Sequence, residues 1–182
     1  MKVLLDTCVI YPTVMRQVLL KVAAQGLFTP LWSARIIDEW LHAARKLGPE
    51  GIVQAEAEAA LLSVQWPEAE VSWPASLEAR LWLPDPADVH VLAAAVAGSA
   101  DVILTLNVKD FPRHILAEEG LSRADPDAFL HGIWDAQPEL VAAAAAEVLA
   151  EANRLSGASW DMRGLMKKAR LPRLGKALAQ RG

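Results

Sequence analysis

Two short runs in the chain are apolar without alternation, and most of the rest follows a helical period. "KVLLDT" near the start and "ADVILTLN" at 100–107 lack the every-other-residue polarity of a half-exposed strand, so both predict strands covered on both faces. "YPTVMRQVLLKVAAQG" puts Val14, Val18, Leu19 and Val22 on one helical face, with Pro12 near its start and Gly26 as a stop. "SARIIDEWLHAARKLG" predicts a second helix, with Ser33 as N-cap and Gly48 as stop. A third is predicted over 51–65, whereas Pro67, Pro74 and Pro84 leave 67–84 without a clear period. "DPADVHVLAAAVAGSA" opens a helix at Asp88 that is apolar nearly all round, as a helix buried against a sheet should be, and Gly98 and Ser99 end it. A helix feeding a buried strand is the unit of an α/β fold with a parallel sheet. From about Asp125 onward the pattern is helical throughout, through "PELVAAAAAEVLAEANRL" to a basic segment, "MRGLMKKARLPRLGKALAQ", broken at Pro172. The organisation expected is therefore an α/β domain over 1–125 and a helical extension with a basic tail over 126–182.

Composition narrows the class. The 182 residues are 53% hydrophobic and 22% charged, enough to bury a core and unlike a disordered chain. The single cysteine, Cys8, excludes an internal disulfide and a thiolate metal cluster. Asp6 interrupts the apolar start, so no signal peptide is read there, and no uncharged apolar run approaches the roughly 18 residues of a membrane span. A cytoplasmic protein with no membrane contact is expected. The net charge of −4 hides an asymmetry: residues 154–182 carry eight basic groups and one acid, Asp161, which leaves 10 basic and 21 acidic residues before Arg154. A basic segment on an acidic body suits contact with a polyanion, docking on the body, or a protein partner.

The acids fall in a pattern of their own. In open parallel sheets, chemistry gathers beyond the carboxyl ends of strands. Asp6 ends the first predicted strand, Asn107 and Asp110 follow the second, Asp88 begins the helix leading into that strand, and Glu39 lies on the helix from Ser33. Adjacent helix positions point about 100° apart, so Asp38 and Glu39 cannot both face such a site. Carboxylates brought together repel and are costly to bury unpaired. A hard divalent cation would relieve that cost, because Mg²⁺ and Mn²⁺ favour oxygen ligands. Phosphodiester hydrolysis is the matching chemistry.

"LLDTCVIYP", "SARIIDEWLHAA" and "LPDPADVHVLAAAVAGSADVILTLNVKDFP", in that order over residues 1 to about 115, resemble PIN domains, in particular the VapC-like toxin branch whose members carry an additional C-terminal helical region. The resemblance implies a PIN-like α/β fold, a Mg²⁺- or Mn²⁺-dependent endoribonuclease, and catalytic and metal-binding roles for Asp6, Glu39, Asp88 and Asp110. Asn107 takes an acid-or-amide place in the metal set and brings no charge. Thr7 and Thr105 are candidates for orienting a carboxylate or phosphate. An RNA substrate, a cognate antitoxin and a homodimer are further implications of the resemblance. From the residues themselves, Arg163, Lys167, Lys168, Arg170 and Arg173 are candidates for RNA phosphate contact.

Structural roles compete for several residues. Asp85 in "PDPAD" reads as a turn residue or as a support behind the metal ligands, Asp88 as an N-cap as well as a ligand, Asp101 as solvated, His90 as a hydrogen-bonded packing residue, Cys8 as a small core residue, and the tryptophans chiefly as packing. A haloacid-dehalogenase-type phosphatase would need a D-x-D after strand one, where the chain has Asp6-Thr7-Cys8. A Rossmann dehydrogenase would need a G-x-G-x-x-G that is missing. The non-enzymatic alternative is a PIN domain that binds RNA or protein without cutting, and Asn107 is its main support.

Overall fold

The computed structural model describes residues 1–180. In chain order the elements are β1 (Lys2–Leu5), α1 (Thr7–Ile10), α2 (Thr13–Ala24), β2 (Thr29–Leu31), α3 (Ala34–Ala44), α4 (Pro49–Gln65), α5 (Ala75–Arg80), α6 (Val89–Ala97), β3 (Val102–Leu104), α7 (Arg113–Glu118), β4 (Ser122–Ala124), α8 (Pro126–Ala136), α9 (Pro138–Ser156), α10 (Met162–Lys168) and α11 (Pro172–Ala179). Short 3-10 turns occupy Arg45–Leu47 and Pro86–Asp88. These elements form two compact units. One joins Met1–Tyr11 to Thr29–Arg123, and the other joins Pro12–Phe28 to the chain from Ala124 onward.

The first unit is an α/β fold around a central parallel sheet flanked by helices, with strand order β2-β1-β3-β4. β1 pairs in parallel with β2 on one side and with β3 on the other, in the register Val3↔Val102, Leu4↔Ile103, Leu5↔Leu104. Val3, Leu4, Leu5, Ile103 and Leu104 are all fully buried, which is why these runs are apolar and do not alternate. Four strands are present where the hydrophobic pattern marks two. "TPL" (β2) and "SRA" (β4) are three residues long, too short for any period. The chain leaves β1 for β2 on one side and later enters β3 on the other, so the carboxyl ends of β1 and β3 border the crevice where strand order reverses.

The helices of this unit follow their sequence signals closely. Ser33 caps α3, its Oγ accepting from the Ile36 N–H at 3.2 Å. Ile36, Trp40 and Ala44 bury one stripe of that helix, Glu39 is half-buried beside it and Asp38 is exposed. α6 is buried from His90 to Ala95. At its end a Cβ on Gly98 would come within 2.8 Å of Leu31 Cδ1, so any larger residue there would push that leucine side chain aside. Ser99 then turns the chain with a φ of 53°.

In the second unit α2 packs on α9, the apolar stripe of Met15, Val18, Leu19 and Val22 meeting a helix whose buried face holds Val141, Ala144, Ala145 and Val148. Phe28 and Phe129 meet edge to face, with ring centroids 5.3 Å apart. The basic segment ends its first helix before Pro172: the chain turns through Ala169–Leu171, with Arg170 at φ 61°, and Pro172 starts α11. Pro172 donates no hydrogen bond, and the next two N–H groups of α11 reach a side chain from another helix. Asp127, on α8 and 5% exposed, accepts from the Arg173 N–H at 2.9 Å and the Leu174 N–H at 3.0 Å. A buried carboxylate thus caps a helix 45 residues downstream.

Asp127→Ala leaves those two N–H groups unpaired inside the second unit and should cost about 2 kcal/mol. Asp127→Asn keeps one acceptor oxygen and should lose less. Thermal denaturation followed by circular dichroism tests the order, and an Asp127→Ala midpoint equal to wild type would show that α11 does not depend on the cap.

Candidate metal centre

The site grows from the register of β1 and β3. Continued by one residue beyond Leu5↔Leu104, that register sets Asp6 beside Thr105, and the Asp6 N–H bonds the Leu104 carbonyl at 3.1 Å. The Thr105 hydroxyl donates to Asp6 Oδ2 at 2.6 Å and itself accepts from the Asn107 N–H at 2.9 Å. Asp6 is 6% exposed and begins α1, yet its side chain makes no cap bond; its carboxylate is directed to Thr105 and Cys8 instead. Cys8, read as a small core residue, is half-buried and belongs to this network. Its Sγ donates to Asp6 Oδ2 at 3.0 Å and accepts from the Leu106 N–H at 3.2 Å. Burial first, and then the Asp6 charge, push the thiol up to about 12, so it stays protonated as a donor.

Glu39 arrives from α3 and is held at both oxygens. Thr7 Oγ1 donates to Oε2 at 2.6 Å, and His90 Nε2 lies 2.9 Å from Oε1. Arg35 Nε, one turn earlier on the same helix, stands 3.8 Å from Oε1. Burial holds His90 below its ordinary value, against the upward pull of Glu39, so the imidazole is neutral.

The third group lies between the 3-10 turn and the loop after β3. One carboxylate oxygen each of Asp85, Asp88 and Asp110 lie within 4.8 Å of one another. Asp85 is the extended N-cap of that turn, and its carbonyl accepts from the Asp88 N–H at 3.1 Å, which keeps the two acids of "DPAD" close together. Asp85 Oδ1 also accepts from the Ala87 N–H at 2.9 Å, so it carries the turn role as well. Asp88 makes no side-chain cap bond to α6. Its Oδ2 accepts from Asn107 Nδ2 at 3.0 Å, so Asn107 faces the group through its amide nitrogen. Lys109 Nζ is 3.8 Å from Asp110 Oδ2 but extends into solvent. Burial first, then repulsion from Asp6, Asp85, Asp110 and Glu39, raise Asp88 to about 6.

All five sequence candidates therefore come from the segments that converge on this crevice, with Thr7 and Thr105 each donating to one of the acids. Asp85 joins Asp88 and Asp110 in the tight group, while Asp6 and Glu39 act on Asp88 through their charge. The D-x-x-D spacing at 85–88 was the available signal for Asp85. Among the described residues no cation pairs with Asp85 or Asp88. Hard oxygen donors with unbalanced negative charge fit a divalent cation such as Mg²⁺ or Mn²⁺. Asp101 is exposed and accepts from the Lys2 N–H at 2.7 Å. Trp32 and Trp40 are core residues, whereas Trp82 is 64% exposed. Arg163, Lys167, Lys168, Arg170 and Arg173 are exposed on the second unit, with Lys168 Nζ 4.7 Å from the centre of the Trp160 ring; Arg181 lies outside the described residues. No helix among the described residues is long and apolar enough to cross a membrane.

Fold and site together define an α/β protein with a nuclease-like acidic cluster at the switch point of a parallel sheet. The family described as PIN domain matches residues 2–109, more than half of the chain, and the chain belongs to that family. No curated protein and no solved structure matches it.

The raised Asp88 has a measurable consequence for stability. Its native value of about 6 exceeds the ordinary 3.8, so the fold disfavours the ionised form. The resulting penalty is absent below about pH 4, grows as pH rises towards 6, and stays at its full size above that. In EDTA at neutral pH, Asp88→Asn should therefore be more stable than wild type by about 1 kcal/mol, a value that allows for solvent screening. The gain should disappear below pH 4, and saturating Mn²⁺ should reverse the order. Melting curves across pH test this, and a gain that persists in acid would refute the electrostatic cause.

Proposed function

We propose that the protein is a Mg²⁺- or Mn²⁺-dependent endoribonuclease that hydrolyses RNA phosphodiester bonds. In this reading it is the toxin of a VapC-like type II toxin–antitoxin pair, a cytoplasmic homodimer silenced by its cognate antitoxin. The observation that carries the nuclease reading is the group of Asp85, Asp88 and Asp110, in which three acids meet a single exposed lysine, in a chain of the PIN domain family.

Asp6, Glu39, Asp88 and Asp110 would hold the cation, with Asn107 contributing through its amide oxygen after releasing Asp88. When bound, the cation would polarise the phosphate and lower the pKa of an attached water. The chain's own residues prepare that site. Thr105 and Cys8 fix the Asp6 carboxylate, and Thr7 fixes Glu39, each by donating a hydrogen bond that brings no positive charge. The acids are thereby oriented while their charge stays available to a cation. In the same reading the exposed Arg163, Lys167, Lys168, Arg170 and Arg173 contact RNA phosphates.

Cleavage of total RNA by the antitoxin-free protein should require Mg²⁺ or Mn²⁺, stop in EDTA, and fall on the order of 100-fold or more in Asp6→Asn and Asp110→Asn. A second reading, a non-catalytic PIN domain that binds RNA or protein, draws on Asn107, which supplies a neutral amide among the acids. Folded protein that binds RNA without cutting it in either metal would favour that reading.

RNA binding in EDTA tests the basic residues separately. Neutralising Lys167 and Arg170 together should weaken single-stranded RNA binding and flatten its salt dependence, the log–log slope falling by roughly 0.7 for each phosphate that is no longer neutralised. An unchanged slope would remove them from the substrate path.

A further inference from the structure

We infer that His90 is a positioning residue, its Nε2–H and the Thr7 hydroxyl together holding the Glu39 carboxylate in the orientation that metal binding requires. The inference rests on the metal-dependent reading above and extends it to a residue that the sequence pattern assigns to packing.

A glutamate on a helix surface has three side-chain torsions, and ordering it costs on the order of 1.5–2 kcal/mol of rotamer freedom. Glu39 is half-buried, yet each of its oxygens meets a different donor, Thr7 Oγ1 at 2.6 Å and His90 Nε2 at 2.9 Å. Both donors are next to other acids of the site: Thr7 follows Asp6 directly, and His90 lies two residues beyond Asp88. The clamp therefore ties α3 to the two segments that carry Asp6 and Asp88. Arg35, exposed, 3.8 Å from Oε1 and shared with Glu78, is a weaker constraint.

The imidazole shows which tautomer is at work. A carboxylate only accepts, so the proton lies on Nε2. Nδ1 is buried and has no hydrogen-bond partner, as suits a bare ring nitrogen. A proton there would be an N–H sealed away from any acceptor. His90 is 1% exposed, among the apolar residues of α6. Packing alone does not call for an imidazole at this place, because a leucine would fill the space without burying an unpaired nitrogen. The contact to Glu39 is what the ring supplies.

Isothermal titration of the full chain with Mn²⁺ tests this without relying on catalysis. His90→Leu should weaken Mn²⁺ binding about tenfold, the usual scale for a residue that orients a ligand. His90→Gln, which can place an amide N–H near the position of Nε2, should recover most of the loss. In a Glu39→Gln background the His90→Leu substitution should have little further effect, because the group it orients no longer carries charge. A role in packing alone predicts equal losses in both backgrounds and no recovery by glutamine, and that result would overturn the inference. So would unchanged Mn²⁺ affinity in folded His90→Leu. If His90→Leu fails to fold, His90→Asn, polar but too short to reach Oε1, takes its place with the same expected outcomes. A wild-type protein that binds no Mn²⁺ would overturn the metal reading itself, and this inference with it.

Discussion

The pairing of Leu5 with Leu104 fixes where the chemistry of this protein can be. Parallel strands present their carboxyl ends on one side of the sheet, and a shared register makes the residues just past those ends neighbours. Asp6 and Thr105 meet for that reason, although 98 residues separate them in the chain. α6 delivers Asp88 and His90 to the same end, and α3 delivers Glu39. A slip of one position between β1 and β3 would take Thr105 away from Asp6 and turn each side chain of the slipped strand to the opposite face.

The second constraint is charge. The fold gathers acids that repel one another, and the groups fixing them are almost all neutral: a threonine hydroxyl and a thiol on Asp6, a threonine and an uncharged imidazole on Glu39, an amide on Asp88. Neutral donors orient a carboxylate without cancelling its charge. Lysine or arginine in those places would stabilise the isolated protein more and leave less field for a cation. The raised Asp88 is the visible cost of that arrangement. Sites that bind a charged ligand commonly sacrifice local stability in this way.

The second unit has its own logic. Its apolar residues pack α2 against α9 and bury Leu165, Met166, Leu171 and Leu174 of the basic segment, so that segment is folded and its cations stand on an ordered surface. Asp127 holds α11 by capping it from α8. A basic stretch that looks like a tail in the sequence is thus part of a helical core, with charge left on the outside.

The sequence by itself determined the parts whose causes are local. Buried strands read as apolar runs, Ser33 caps α3 while Gly48, at positive φ, ends the 3-10 turn that follows it, and Asp38 and Glu39 separate because a helix turns 100° per residue. The acids at strand ends stand out in the sequence because a carboxylate directly behind buried residues is costly without a partner. Contacts between distant segments were decided only by tertiary structure. β2 and β4 are too short to carry a period and exist because β1 and β3 lie beside them in the sheet. Asp85 and Asp88 share a turn, but Asp110 reaches them from the loop after β3. His90, buried among apolar residues, becomes a donor to Glu39 because of what faces it. A hydrogen-bond partner 51 residues away, as Glu39 is from His90, leaves no trace in local periodicity. That information lies in the packing of α3 against α1 and in the contact of Glu39 with α6, and only the folded chain contains it.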